Sequence, residues 1–298
     1  MLIINSELHY FIKIYKIKHI KLLLFLPLNK GIGILVDIIF LGAGGGRWET
    51  IYQNKGTGGF RIHTEKTRLH VDPGPGTLVR MKDLNINPLD TNILFVSHDH
   101  PDHYTDAEII VEAMTKGMTK KRGHIVSNIS VLEGFGKYEN AISKYHQSMC
   151  EGVHVLNPGE SVNLYDVKLT ATKTKHGDPF GIGLRVSTYN GDIGYTGDTE
   201  KIDSLSQDFD GVRILVANVM RERGKRIRGH LCSNDLVDLL ESMNKKPELV
   251  IFNHMGLKMT NVIGECRYIL ESTDVKAIAA KIGLKVSLYK DFYSIVYL

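Results

Sequence analysis

From Val36 onward the chain carries short apolar runs, each closing on a turn that contains Gly, Asp or His. Asp37–Leu41, Asn92–Val96, Lys168–Thr172, Asp192–Tyr195, Ile214–Val219 and Leu249–Phe252 are of this kind. Runs of that length, rich in Ile, Val and Leu and bounded by turn residues, predict buried strands. Between them, apolar residues three and four apart mark helix faces. Thr105-Asp106-Ala107-Glu108 has the form of a capping box, followed by Ile109, Ile110, Ala113 and Met114. Ser233 is placed to cap a second helix, whose apolar face is Leu236, Leu239, Leu240 and Met243. A third helix is expected over residues 262–282. There is no internal repeat or low-complexity tract. Strands interleaved with helices that pack outside them give an α/β class.

The stretch before Val36 follows another pattern. Its longest uncharged apolar run, Leu22–Leu28, has seven residues and includes Pro27, whereas spanning a bilayer takes about 20. No small-residue cleavage site follows, so a signal peptide is not expected either. Residues 1–35 are read as a poorly ordered or misassigned N-terminal extension, and 36–298 as a single domain. The rival for the extension is a membrane-surface anchor.

Composition adds exclusions. The 298 residues are 43% hydrophobic and 23% charged, as in ordinary soluble proteins and unlike disordered or collagenous ones. The first 35 residues hold five of the 37 basic residues and one of the 33 acidic ones, so the rest carries 32 of each. A neutral body offers no global field for nucleic acid, and binding there must rest on local patches. Cys150, Cys232 and Cys266 lie far apart with no C-x-x-C. This excludes a disulfide scaffold or zinc ribbon and fits a reducing, cytoplasmic setting.

The chemistry concentrates in Ser97-His98-Asp99-His100-Pro101-Asp102-His103, directly after an apolar run. Imidazole and carboxylate suit zinc, and also iron or manganese. In an extended turn His98 and His100 point the same way and can grip one ion. Asp102 and His103 follow a change of direction at Pro101 and can face a second.

Here the chain resembles the metallo-β-lactamase superfamily, whose hallmark is H-x-H-x-D-H, and the likeness extends from about Val36 to the C-terminus. Thr174-Lys175-His176-Gly177-Asp178, Tyr195-Thr196-Gly197-Asp198-Thr199 and Phe252-Asn253-His254-Met255-Gly256 match the family's later motifs in order and strand context. The resemblance implies a four-layer αββα sandwich. It also implies two divalent ions, zinc first and manganese or iron as alternatives. His98, His100 and His176 would hold one; Asp102, His103 and His254 the other; Asp198 would bridge them. The expected activity is hydrolysis by a bridging water, with Asp102 both ligand and catalytic carboxylate.

Departures from named branches narrow the reaction. Family members that hydrolyse β-lactams usually have Cys where Asp198 stands. Flavodiiron proteins have an acid in place of His100. Ribonuclease Z carries a transfer-RNA-gripping arm between its third His and bridging Asp, and here only 22 positions separate His176 from Asp198. The closest branch is nonetheless that of the phosphodiesterases and ribonuclease Z, without the arm. That branch has a non-ligand His acting on the scissile phosphate, which His230 matches. Arg221-Glu222-Arg223-Gly224-Lys225-Arg226-Ile227-Arg228 runs up to it, with Arg226 and Arg228 as phosphate contacts. A solvated charged loop is the alternative for this segment. The substrate expected is a nucleotide or nucleic-acid phosphodiester; the alternatives are thioester, ester or lactone hydrolysis, and a metal-bound sensor without turnover. His63, His70, His124, His146 and His154 are read as structural or exposed. Asp72 is either a partner for a ligand imidazole or a turn residue before Pro73. Gly42–Gly46 is read as a tight turn bordering the site, with Arg47 and Trp48 in reach of a substrate.

Overall fold

The computed structural model describes residues 10–17, 20–27, 35–136 and 139–298. The chain divides into two compact units, residues 1–34 and 35–298. In the first, Tyr10–Ile17 and Ile20–Pro27 pair as antiparallel strands. The reading of residues 1–35 as an extension otherwise falls on residues 1–9, 18–19 and 28–34, outside those described.

In the second unit the apolar runs become strands of two eight-stranded sheets. Across the first run Tyr293–Tyr297, Leu284–Leu288, Val36–Gly42, Thr57–His63, Arg68–Val71, Ile93–Phe95, His124–Ser127 and Gly152–Val155. Its early pairings are antiparallel, and from Arg68–Val71 outward they are parallel. The second runs Ala277–Ala279, Leu249–Asn253, Ile214–Arg221, Gly191–Tyr195, Ile182–Thr188, Val167–Lys173 and Ser161–Leu164, with Leu231–Cys232 beside Ile214–Arg221. The two C-terminal strands thus return to the N-terminal sheet.

Alternation along a strand explains the layers. Ile93 and Phe95 join the core shared by the two sheets, whereas Leu94 and Val96 face outward. There they meet Ile110, Val111 and Met114 of the helix Ala107–Met114. On the other sheet, Leu236, Leu239 and Leu240 of the helix Ser233–Glu241 and Ile269 of the helix Val262–Thr273 complete the core. The result is a mixed α/β fold with two large sheets and helices outside, that of the metallo-β-lactamases.

Three local expectations are corrected. No capping box forms at Thr105, because Pro101–Tyr104 is already helical; Thr105 Oγ1 donates back to Pro101 O, and Glu108 accepts from Ser143 N. Cys232, not Ser233, caps the second helix, with Asp235 accepting the Cys232 N–H. The third helix ends at Thr273, where Asp274 turns left-handed, and Ala277–Ala279 is a strand.

Candidate metal centre and active site

Every residue assigned to the metal set follows the end of a strand. Ile93–Phe95 leads to His98, His100, Asp102 and His103; Val167–Lys173 to His176; Gly191–Tyr195 to Asp198; Leu249–Asn253 to His254. His98 Nε2 lies 2.8 Å and His176 Nε2 3.1 Å from His100 Nδ1. Asp198 Oδ2 lies 2.9 Å from His254 Nε2, 3.5 Å from His103 Nε2 and 3.8 Å from His176 Nε2. Asp102 Oδ2 is 3.6 Å from His103 Nε2 and 3.7 Å from His254 Nε2. Two of the groupings able to hold a metal ion are those read from the sequence: His98 with His100 and His176, and Asp102 with His103 and His254. Asp198 joins further groupings with each set.

The donor atoms fit a cation. His103 Nε2, His254 Nε2 and His230 Nδ1 are buried with no hydrogen-bond partner, and buried polar atoms are rarely left so. Burial alone would lower the affinity of His103 for a proton, but Asp102, Asp198 and Asp72 outweigh it and raise its pKa well above the usual value. Burial would likewise raise Asp198, yet His254, His103 and His230 hold it well below the carboxylate range. Carboxylates clustered with imidazole nitrogens form a donor set that suits a divalent cation.

Contacts behind the donors aim them. Asp72 accepts from His103 Nδ1 (2.7 Å), Ser97 Oγ (2.7 Å), Tyr195 OH (2.6 Å) and Ser97 N (2.7 Å). Its φ of 52° makes it a turn residue as well, so both readings of Asp72 hold. Asn218 Nδ2 donates to Tyr195 OH at 2.9 Å and to Asp198 Oδ1 at 2.8 Å, leaving Asp198 Oδ2 free for the centre. Asn253 Nδ2 donates to Asn218 Oδ1 at 3.0 Å and steadies it. His176 Nδ1 donates to Gly229 O at 2.7 Å, and Gly229 N donates to Glu200 at 2.9 Å. Such partners fix which imidazole nitrogen faces a metal.

The glycine turn borders this centre. Gly46 N donates to Asp102 Oδ2 at 2.7 Å. A Cβ at Gly45 would sit 2.0 Å from His254 Nδ1, so no other residue fits there. Sequence reasoning missed Tyr195, Asn218, Asn253, Glu200 and the buried Glu49, since nothing local marks a residue whose partner is far along the chain.

His230 stands over the centre, its Nδ1 3.5 Å from Asp198 Oδ2 and its ring 4.8 Å from that of His176. Burial first, then His254 and His176, push its pKa down to about 4 against the pull of Asp198. It opens onto a cleft of about 520 Å³ lined by Glu200, Lys201, Arg226, Ile227, Arg228, Asp235 and Asp238. The basic segment is partly committed elsewhere: Arg226 pairs with Asp235 at 2.8 Å, Lys225 with Glu222 at 2.6 Å and Arg223 with Glu265 at 3.4 Å. Arg228 lines the cleft with no ion pair among the described residues.

Two sheets with helices outside, and a histidine–aspartate cluster at the strand ends, define the architecture of a metallo-β-lactamase-fold hydrolase. Residues 67–255 match the Beta-lactamase superfamily domain, and the chain belongs to that superfamily. It is 64% identical over 258 residues to the uncharacterized protein MJ1374 of Methanocaldococcus jannaschii, covering 87% of this chain and 97% of that one. Ribonuclease Z of Pyrococcus abyssi is 26% identical over 172 residues, 57% of this chain and 53% of its own. Among solved structures, the metallo-beta-lactamase fold protein YhfI of Bacillus subtilis superposes with a TM-score of 0.71 at 17% identity, over 85% of this chain and 99% of that one. Among the described residues, no helix is long and apolar enough to cross a membrane.

Proposed function

We propose that this protein is a metal-dependent phosphodiesterase with a dinuclear site. His98, His100 and His176 would hold one ion, Asp102, His103 and His254 the other, and Asp198 both; zinc is the expected metal. The carrying observation is the position of His230, 3.5 Å from Asp198 and lining a cleft whose walls bear Lys201, Arg226 and Arg228 beside Glu200, Asp235 and Asp238. Divalent cations held by this donor set would supply Lewis acidity for polarising a phosphoryl group and acidifying a water. Arg228 binds phosphate oxygens through its guanidinium fork. The His230 imidazole, neutral at pH 7, donates a hydrogen bond from its ring N–H to a phosphoryl oxygen and offsets the charge that develops there, while the leaving oxygen is protonated from solvent. Asp102, held by the Gly46 N–H, takes the proton of the attacking water. The likeness to ribonuclease Z supports this reaction class. Between His176 and Asp198 the chain forms a hairpin, Ile182–Thr188 with Gly191–Tyr195, which favours a substrate smaller than a folded transfer RNA.

The test is turnover by zinc-loaded protein of bis(p-nitrophenyl) phosphate against a simple thioester. His230→Ala should lower phosphodiester turnover by about 10²–10⁴-fold while the metal stays bound. A wild-type rate in that variant removes the role given to His230. Thioester turnover without phosphodiester turnover replaces the reading with its ester-hydrolase rival.

A further inference from the structure

The glycine turn beside Asp102 runs straight into a short helix, Arg47–Tyr52. Its buried residue, Glu49, accepts from Lys55 N and pairs with Lys55 Nζ at 3.4 Å, and Lys55 Nζ also donates to Gly256 O at 3.4 Å, which ties the helix to the body. The residues around it do the reverse. Trp48 is 63% exposed, Ile51 67% and Tyr52 59%, although each is a large apolar side chain. Trp48 and Tyr52 lie with ring planes 20° apart and centroids 6.3 Å apart, so both present π faces of one orientation. Along the chain the Cα atoms of Trp48 and Gly46 are at most about 7 Å apart, and Gly46 N touches Asp102. The exposed aromatic pair therefore starts two residues from a backbone amide that touches the metal centre. Three side chains offer only a few hundred Å², short of the roughly 800 Å² per partner of a stable protein interface. A flat group already tethered to the centre needs no more than that.

We propose that Trp48, backed by Tyr52, is a stacking platform for a nucleobase of the substrate, so that the phosphodiester carries at least one nucleoside. This rests on the phosphodiesterase reading and narrows it. Aromatic faces stack any base without reading its edge, so the platform selects nucleotides over base-free diesters and is indifferent among bases.

Trp48 is the chain's single tryptophan, which makes it its own reporter. In the metal-loaded full chain, AMP should quench its fluorescence saturably, while ribose 5-phosphate and inorganic phosphate leave it unchanged. Trp48→Ala should raise KM for thymidine 5′-p-nitrophenyl phosphate by about 5- to 100-fold, with kcat unchanged. KM for methyl p-nitrophenyl phosphate, which shares the leaving group and lacks a base, should not move, and Trp48→Tyr should restore most of the difference. Equal KM changes for both diesters, or inhibition by AMP without quenching, overturns the platform. A fluorescence shift on protein dilution with no response to AMP also overturns it, in favour of a second copy of the chain. If neither diester is hydrolysed the phosphodiesterase reading fails, and the AMP titration still decides the stacking.

Discussion

Asp72→Asn removes one negative charge behind the metal centre and leaves the backbone content, because Asn tolerates the left-handed conformation at this position. The carboxylate receives four donors, three of them on Oδ2. Asn offers one acceptor oxygen. Its best placement turns that oxygen toward His103 Nδ1, Ser97 Oγ and Tyr195 OH, which sets its NH₂ against the Ser97 N–H. One buried donor then lacks an acceptor, costing about 1–3 kcal/mol. The three remaining bonds fall from charge-assisted to neutral strength, about half each. Together these put the loss of stability at about 3–7 kcal/mol. The metal should weaken too, by about 10–100-fold, the usual effect of losing a partner behind a ligand. The loss should be larger at the proposed site of Asp102, His103 and His254, because Asp72 bonds His103 directly and reaches His98 only through Ser97 Oγ, which lies 3.0 Å from His98 Nδ1. Competition with a chromogenic chelator resolves the two affinities, and urea unfolding gives the stability. Wild-type affinity for both ions would refute the idea that Asp72 aims His103. Equal weakening of both would recast it as a general packing residue.

Asp198→Ala should abolish turnover and leave less than one ion per chain by metal analysis, since its carboxylate faces both groups of donors; two retained ions would remove it from the bridging position. His63 accepts from Arg61 Nε at 2.9 Å, and burial, then Arg61, Arg68 and Lys285, lower its pKa to about 3. An unfolded chain therefore takes up a proton near pH 6.5 that the folded one refuses, so stability falls as pH drops from 6.5 toward 3, by up to about 2 kcal/mol at pH 5. His63→Gln should flatten the urea midpoint between pH 7 and pH 5 by that amount, and an unchanged slope would contradict it. A chain starting at Val36 should keep its metals, its turnover and its Tm within a few degrees; liposome flotation by the full-length protein alone would make residues 1–35 a membrane anchor.

Much of the centre was legible in the sequence. The ligand types sit within seven residues past apolar runs, and both signals are local: strand patterning depends on alternation, and the reach of a side chain past a strand end on the next few residues. Six strands and the cluster of His98, His100, Asp102 and His103 could be read that way, while His176, Asp198, His254 and the grouping of all seven came from the family resemblance. Other features exist only once distant segments meet. Tyr195 and Asp72 are 123 positions apart and joined by a 2.6 Å bond, and neither reveals the other, since a buried tyrosine in an apolar strand reads simply as core. Gly45 is required because the His254 ring occupies the space its Cβ would need, which no run of glycines announces. Arg226, an unpaired phosphate contact in the sequence, faces Asp235 across the start of a helix. The caps moved for more local reasons: Cys232 and Asp235 form the box one residue before Ser233, and the Thr105 hydroxyl bonds Pro101 O of the preceding turn. Composition and spacing determine which side chains are available at strand ends; packing decides which of their atoms are left free to act.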